Sequence, residues 1–142
     1  MPDQSAIRIL IIDDDVEFAD LLRLQLMSAG YVAEVAEDAV EGGKALLAHP
    51  PALILCDIGM PYMSGLDLVS LMRSDPRSAS IPVVFVSGRA DAETMTKAVK
   101  LGAADFLAKP VTREQLLESV AACLQSGGRR AAVPDYRFPP VV

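Results

Sequence analysis

The stretch IRILIIDDD, residues 7–15, is a short apolar run that ends abruptly in three acids. Runs rich in β-branched residues are typical of a strand that is buried on both faces. The period then changes, because Phe18, Leu22 and Leu26 follow one another at intervals of four and form a single helical stripe. Gly30 is a typical residue for ending such a helix. The pattern predicts a strand that leads directly into a helix.

The same alternation occurs four more times along the chain. The predicted strands are 7–12, 31–36, 52–56, 82–86 and 105–107, and the predicted helices are 14–29, 39–49, 64–74, 92–101 and 112–125. Asp15 is expected to be a solvated residue of the first helical turn, and Thr112 with Gln115 has the spacing of a capping box. Strict alternation indicates an α/β fold, in which right-handed crossovers place helices on both faces of a doubly wound parallel sheet.

Charge is distributed unevenly over the 142 residues, whose net charge is −6. We expect residues 1–126 to form one domain, with 10 basic and 18 acidic residues and a net charge of −8. Residues 127–142, GGRRAAVPDYRFPPVV, carry +2 and are expected to be a flexible tail or the start of a linker. A domain this acidic repels the phosphate backbone of nucleic acids, which argues against direct nucleic-acid binding by this chain.

The sequence shows no strong pattern of a membrane-spanning segment, of a signal peptide or of metal-binding or disulfide-forming cysteines. No apolar run approaches the roughly 20 residues that cross a bilayer, and the first apolar stretch lacks the basic flank of a signal peptide. Cys56 and Cys123 form no metal-ligand pattern and are expected to be reduced thiols. We therefore expect a cytoplasmic protein that does not associate with membranes.

Polar residues follow four of the predicted strands. Asp13 and Asp14 come after the first, Asp57 after the third, Ser87 after the fourth and Lys109 after the fifth. Ligands of doubly wound sheets bind outside the carboxyl ends of the strands, so these side chains should converge there. Crowded carboxylates favour a hard cation such as Mg²⁺. A carboxylate can act as a nucleophile on phosphorus, and a lysine and a hydroxyl can stabilise the transferred group.

Four motifs in these positions resemble a known family. IIDDD (11–15), DIGMPYMSG (57–65), VSG (86–88) and DFLAKP (105–110) are similar to the motifs of the receiver domain of two-component response regulators. The resemblance covers roughly residues 6–125, and four motifs in order are highly specific. It implies a flavodoxin-like, CheY-like fold whose five strands lie in the order 2-1-3-4-5.

The resemblance also implies roles for the acidic residues. Asp57 would be the phosphoacceptor, and it would receive a phosphoryl group from a histidine kinase or a phosphotransfer protein. Mg²⁺, or Mn²⁺ in its place, would be bound by Asp14, by Asp57 and by the backbone carbonyl of Gly59. Asp13 would contact the metal through a water molecule. The protein would then be a signalling switch that catalyses its own phosphorylation and dephosphorylation, and not an enzyme acting on other substrates.

The remaining motif residues are implied to form the switch. Lys109 would contact the phosphoryl group, the Lys109–Pro110 bond would be cis, and Ser87 would donate a hydrogen bond to the phosphoryl group. Movement of Ser87 would let Phe106 turn, which would remodel the face formed by the fourth helix, fifth strand and fifth helix. This face could also form a homodimer. Gly59 and Arg89 occupy positions that tune the phosphoryl lifetime in the family, with an effect here that the residues leave open.

Three alternatives were weighed against the receiver. A phosphate-independent adaptor on the same fold is disfavoured by the complete set of acids, Ser87 and Lys109. A phosphohydrolase with an aspartyl nucleophile needs a second Asp two residues after the nucleophile, where this chain has Gly59. Nucleotide or flavin binding needs a glycine-rich loop after the first strand, where three acids stand. The cognate kinase and the output stay open, and the chain could be a stand-alone receiver or a fragment of a longer regulator.

Overall fold

The computed structural model describes residues 7–125, which form five strands and five helices in strict alternation. The strands are β1 (Arg8–Ile12), β2 (Val32–Ala36), β3 (Leu53–Cys56), β4 (Val83–Ser87) and β5 (Asp105–Ala108). The helices are α1 (Val16–Ser28), α2 (Ala39–Ala48), α3 (Gly65–Ser74), α4 (Ala92–Lys100) and α5 (Arg113–Gln125). Every predicted element is present, and the boundaries differ by at most two residues.

The strands form one parallel sheet in the order β2-β1-β3-β4-β5. The predicted flavodoxin-like, doubly wound topology is therefore confirmed. The register aligns Ile12 with Cys56, and Cys56 with Phe85. The carboxyl ends of β1 and β3 consequently lie level with each other, and β4 continues to Ser87 at the same end of the sheet.

The core is divided into two layers by the sheet. In β3, Leu53 and Leu55 belong to the layer beneath α1 and α5, whereas Ile54 and Cys56 belong to the layer beneath α2, α3 and α4. Alternate side chains of a strand point to opposite faces. Because all four residues are buried, β3 reads as a continuous apolar run.

Helix α1 begins later than the sequence pattern predicted. The expected start at Asp14 is wrong, because Asp15 is the N-cap and lies just before the first turn, although Asp15 is exposed to solvent as expected. Its carboxylate accepts a hydrogen bond from the Phe18 N–H at 3.1 Å. An N-cap satisfies one of the free amide groups at a helix start, so the helix proper begins at Val16.

Two other predicted helix ends are confirmed. The Thr112 hydroxyl accepts from the Gln115 N–H at 3.0 Å, and the Gln115 side chain accepts from the Thr112 N–H at 3.0 Å, which is a reciprocal capping box. After α1, Gly30 has a φ of 96° and its N–H donates to the Met27 carbonyl. Glycine adopts this left-handed conformation without a steric penalty, so it ends the helix here.

The predicted tail, 127–142, and the first six residues of the predicted domain lie outside the described residues. The extent of the domain as 1–126 therefore stays a prediction. Among residues 7–125, no helix combines the length and the apolar character needed to cross a membrane.

We predict that Gly65→Ala destabilises the fold. The new Cβ would overlap the backbone carbonyl of Asp57 and approach the Cys56 sulfur to 3.0 Å, at the point where the Gly65 N–H donates to the Ile58 carbonyl. Overpacking a tight site costs about 1–3 kcal/mol in the free energy of unfolding, measured by urea denaturation.

Gly43→Ala, inside α2, is the matched control because its Cβ would meet nothing within 4 Å. Alanine in a helix interior should raise the free energy of unfolding there by about 0.5–1 kcal/mol. If both variants had the same stability, the close approach of α3 to the end of β3 would not be a real constraint.

Candidate phosphorylation site

The sheet itself places the candidate residues at its carboxyl edge. The Asp57 N–H donates to the Ile12 carbonyl at 2.8 Å, and the Lys109 N–H donates to the Ser87 carbonyl at 2.9 Å. The Asp13 N–H donates to the Ala36 carbonyl at 3.0 Å. Each of these residues thus continues the pairing of its strand by one hydrogen bond, and its side chain emerges from a fixed backbone.

Lys109 joins the two buried acids. Its ammonium Nζ lies 3.1 Å from Asp13 Oδ2 and 3.7 Å from Asp57 Oδ1. The same Nζ lies 4.5 Å from the centroid of the Phe18 ring, a distance typical of a cation–π contact. The sequence pattern treated Phe18 only as a core residue of α1. Phe18 follows the acids by one helical turn in the sequence, and this spacing could have indicated its contact with Lys109.

Three carboxylates surround one point. One oxygen from each of Asp13, Asp14 and Asp57 lies within 4.8 Å of the others, with Asp13 and Asp57 buried and Asp14 exposed. Asp13 Oδ1 also accepts from the Asp15 N–H at 2.8 Å, and Asp57 Oδ1 accepts from the Ile58 N–H at 2.9 Å. Hard oxygen donors this close together suit a small divalent cation such as Mg²⁺.

Burial and mutual repulsion make this cluster costly to ionise. Desolvation, followed by the charge of Asp13, raises the pKa of Asp57 to about 6, although Lys109 opposes the shift. Desolvation likewise raises the pKa of Asp13, against the lowering effects of its hydrogen bond from Asp15 and of Lys109. Lys109 therefore compensates the acids only in part, and the donor set fits a further cation.

Cys56 does not contribute a reactive thiol to the site. Its side chain is fully buried and its Sγ donates to the Asp57 carbonyl at 3.3 Å. Burial, together with the charges of Asp57 and Asp13, raises the pKa of this thiol. Since the thiolate is the reactive form, Cys56 acts as a core residue, as the sequence analysis expected.

Ser87 and Phe106, the candidate switch residues, occupy the neighbouring part of the sheet. Ser87 is buried at the end of β4, and its hydroxyl accepts a hydrogen bond from the Arg89 N–H at 3.0 Å. The Phe106 ring is buried in the core layer of α4, with its centroid 6.4 Å from that of Phe85. Its ring therefore lies in the apolar core, and its rotation in a switch stays a prediction.

The other predicted residues flank this cluster. The Lys109–Pro110 peptide bond is cis in the structure. Gly59 lines a cavity on the α4 side of the site, and a Cβ at this position would meet nothing within 4 Å. The role of the Gly59 carbonyl as a metal ligand stays a prediction.

A comparison with protein families identifies this arrangement. The family model of the response regulator receiver domain matches residues 9–121. The chain belongs to the response regulator receiver family. This match confirms the resemblance noted in the sequence. Receiver domains take part in phosphorylation-based signalling, typically together with histidine kinases, and generally bind Mg²⁺ at an acidic pocket.

Similar proteins include two curated regulators. The chain is 34% identical over 122 residues to RpaA of Synechocystis, a DNA-binding dual master transcriptional regulator, with 86% of this chain and 51% of the relative covered. It is 34% identical over 134 residues to the acid tolerance regulatory protein ActR of Rhizobium meliloti, with 94% of this chain and 65% of the relative covered. The chain thus spans between half and two thirds of the length of these relatives.

Similar solved structures include a CheY-like response regulator receiver domain protein from Methanospirillum hungatei. Its TM-score to this chain is 0.80 at 31% identity, with 84% of this chain and 94% of that chain covered. The match thus covers nearly the whole of the solved receiver chain.

We predict that Asp57→Asn stabilises the unphosphorylated, metal-free receiver at pH 7. The raised pKa means that the folded state binds this proton more tightly than the unfolded state, so the ionised carboxylate lowers the free energy of unfolding as the pH rises from about 4 through about 6. One pKa unit corresponds to about 1.4 kcal/mol, and the raised pKa already includes the attraction to Lys109, so the rise in pKa to about 6 predicts a gain of about 3 kcal/mol in the free energy of unfolding.

Urea denaturation in EDTA at pH 7 and at pH 4.5 measures this gain, which should shrink at the lower pH as the wild-type carboxyl becomes protonated. Asp38→Asn is the control, because Asp38 caps α2 and Asn caps a helix equally well. A gain at pH 7 that is absent, or that is as large at pH 4.5, would contradict the cost assigned to the Asp57 charge.

Proposed function

We propose that this receiver accepts a phosphoryl group on Asp57 in an Mg²⁺-dependent reaction and acts as a signalling switch. The observation that supports the proposal most directly is the position of Lys109, whose ammonium contacts both buried acids of a three-carboxylate cluster. Phosphoryl transfer depends mainly on positioning and on compensation of the charge on the equatorial oxygens. A fixed lysine next to a cation site supplies both.

The donor is a phosphohistidine of a histidine kinase or of a phosphotransfer protein. A carboxylate oxygen of Asp57 attacks the phosphorus, the new O–P bond forms as the P–N bond breaks, and the electron pair of that bond returns to the histidine nitrogen. Within residues 7–125, the hydrogen bond from the Ile58 N–H and the ion pair with Lys109 both use Asp57 Oδ1, so Oδ2 is the attacking atom in this proposal. Attack by water on the phosphorus later breaks the O–P bond and releases inorganic phosphate.

The acids have separate tasks in this proposal. Asp14, Asp57 and the Gly59 carbonyl hold Mg²⁺, and Asp13 orients a water molecule of the metal while it holds Lys109. The bound metal neutralises the cluster so that an anionic phosphoryl group can approach. Ser87 donates its hydroxyl proton to a phosphoryl oxygen, and Phe106 turns toward the space that Ser87 leaves.

The outer side of α1 offers a surface for the phosphoryl donor. Leu21, Leu24 and Met27 are each about half exposed on this helix, and α1 begins at the acidic cluster. Exposed apolar side chains this close together typically mark an interaction site.

The face of α4, β5 and α5 is the proposed output surface. Within the described residues its exposed side chains are mainly polar or charged, including Lys97, Lys100, Glu114 and Glu118. A homodimer on this face would depend on charged pairs, which are sensitive to salt. This chain matches only 51% of the length of RpaA, so a DNA-binding output, as in RpaA, belongs in this proposal to a separate domain.

Two alternatives are less well supported. An aspartyl phosphohydrolase would need an acid at position 59, and this position is an open glycine. A phosphate-independent adaptor would not require Lys109 to bridge Asp13 and Asp57 in a half-enclosed site. The complete site therefore favours the phospho-accepting receiver.

We predict that the protein gains one phosphoryl group when it is incubated with acetyl phosphate and Mg²⁺, because the site supplies the nucleophile and the charge compensation itself. Intact-protein mass spectrometry detects the adduct, and omission of Mg²⁺ should abolish it. Asp57→Asn should gain none, whereas Asp38→Asn should behave as the wild type.

The outcome that contradicts the proposal is specific. A wild type that stays unmodified in Mg²⁺ would support the phosphate-independent adaptor. Modification of Asp57→Asn at the wild-type rate would place the phosphoacceptor elsewhere in the chain.

A further inference from the structure

The backbone of Arg89 contacts the candidate site, whereas its side chain pairs with Asp91. Its N–H donates to the Ser87 hydroxyl at 3.0 Å, so the backbone of residue 89 contacts the group that is proposed to bind the phosphoryl oxygens. Its guanidinium Nε lies 3.6 Å from Asp91 Oδ1, which is beyond hydrogen-bond distance. The Arg89 side chain is 73% exposed, and ion pairs of this kind are weak.

Asp91, the partner of Arg89, is also the N-cap of α4. Its Oδ2 accepts from the Thr94 N–H at 3.2 Å, and its Oδ1 accepts from the Thr94 hydroxyl at 2.8 Å. One carboxylate oxygen is thus shared between the first turn of α4 and the guanidinium of Arg89. The weak Arg89–Asp91 pair links the loop after Ser87 to the helix of the proposed output surface.

A cavity separates this pair from the phosphoacceptor. The cavity has a volume of about 330 Å³, and both Arg89 and Asp91 line it together with Ile58 and Gly59, the residues that follow Asp57. Gly59 places no side chain in the space. The cavity therefore gives the guanidinium space on the side of Asp91 where Ile58 and Gly59 follow the proposed phosphoacceptor.

We propose that Arg89 exchanges its ion pair with Asp91 for the phosphoryl group on Asp57, and that Asp91 competes with the phosphoryl group for this arginine. The inference rests on the proposed function. A phosphoryl group adds about −1.5 to −2 charge and strong acceptor oxygens, and arginine binds such groups through two parallel hydrogen bonds. The exchange couples phosphorylation to the N-terminal turn of α4, since it removes the cation from the residue that caps the helix.

If Asp91 competes with the phosphoryl group for Arg89, a change at Asp91 should alter phosphoryl binding. Attraction between Arg89 and the phosphoryl group alone does not predict such an effect. Asp91→Asn keeps a good N-cap but releases Arg89, so it should tighten the binding of a phosphoryl analogue. We expect the dissociation constant for beryllium fluoride in Mg²⁺, measured by isothermal titration calorimetry, to fall about twofold to fivefold, which is the range of exposed ion pairs. Arg89→Ala should weaken binding, and Asp91→Asn should have no remaining effect in the Arg89→Ala background.

Glu93→Gln is the matched control for loss of a negative charge. Glu93 lines the same cavity and pairs with Lys97 at 3.2 Å, so it does not hold Arg89. Its variant should tighten binding less than Asp91→Asn does, and equally with or without Arg89. Tightening by Asp91→Asn that persists in Arg89→Ala, or that matches Glu93→Gln, would overturn the exchange.

The result also distinguishes this inference from the proposed function. If the wild type binds no beryllium fluoride in Mg²⁺, the proposed phospho-accepting site itself is wrong, and the exchange falls with it. If the wild type binds and the effects of the Asp91 and Arg89 variants are simply additive, only the exchange is wrong.

Discussion

The carboxylates of Asp13 and Asp57 are held together by the sheet and cannot move apart. Each follows the last residue of a central strand, and each backbone amide is hydrogen-bonded to a neighbouring strand. The mutual repulsion of these acids is therefore fixed by the same parallel pairing that forms the fold. Burial raises the pKa of both acids, the charge of Asp13 adds to the shift at Asp57, and Lys109, which follows β5, offsets these effects only in part.

Because these carboxylates repel one another, we expect the site to respond to the binding of cations and of phosphoryl groups. Because the acids are already held close together, binding of a divalent cation would not require the free energy of bringing its ligands together. In the proposed function, Asp57 then gains a phosphoryl group that Lys109 can contact, while Ser87 at the end of β4 and Arg89 in the loop that follows change partners. In the proposed switch, a small chemical change at one strand end reaches Phe106 and the first turn of α4, which lie on the same face of the sheet.

The sequence predicted those features that depend on local pattern. The five strand–helix pairs, the capping box of α5 and the convergence of the acids all follow from periodicity and from the geometry of parallel sheets. The start of α1 was predicted two residues early, because any of three consecutive acids could cap the helix and only Asp15 does. The contacts of Lys109 with Phe18 and of Arg89 with Asp91 depend on side-chain rotamers and on long-range packing, which no local pattern encodes.

The central claim is that the buried charge of Asp57 is costly until a cation neutralises the cluster. Carbon-13 NMR of the Asp57 carboxyl carbon, titrated with acid in EDTA and again in saturating Mg²⁺, measures its pKa directly. We predict a pKa of about 6 for the Asp57 carboxyl without the metal and a clearly lower pKa when Mg²⁺ is bound, because the metal stabilises the ionised form. An ordinary carboxyl pKa in EDTA, or a raised pKa that Mg²⁺ does not lower, would contradict it.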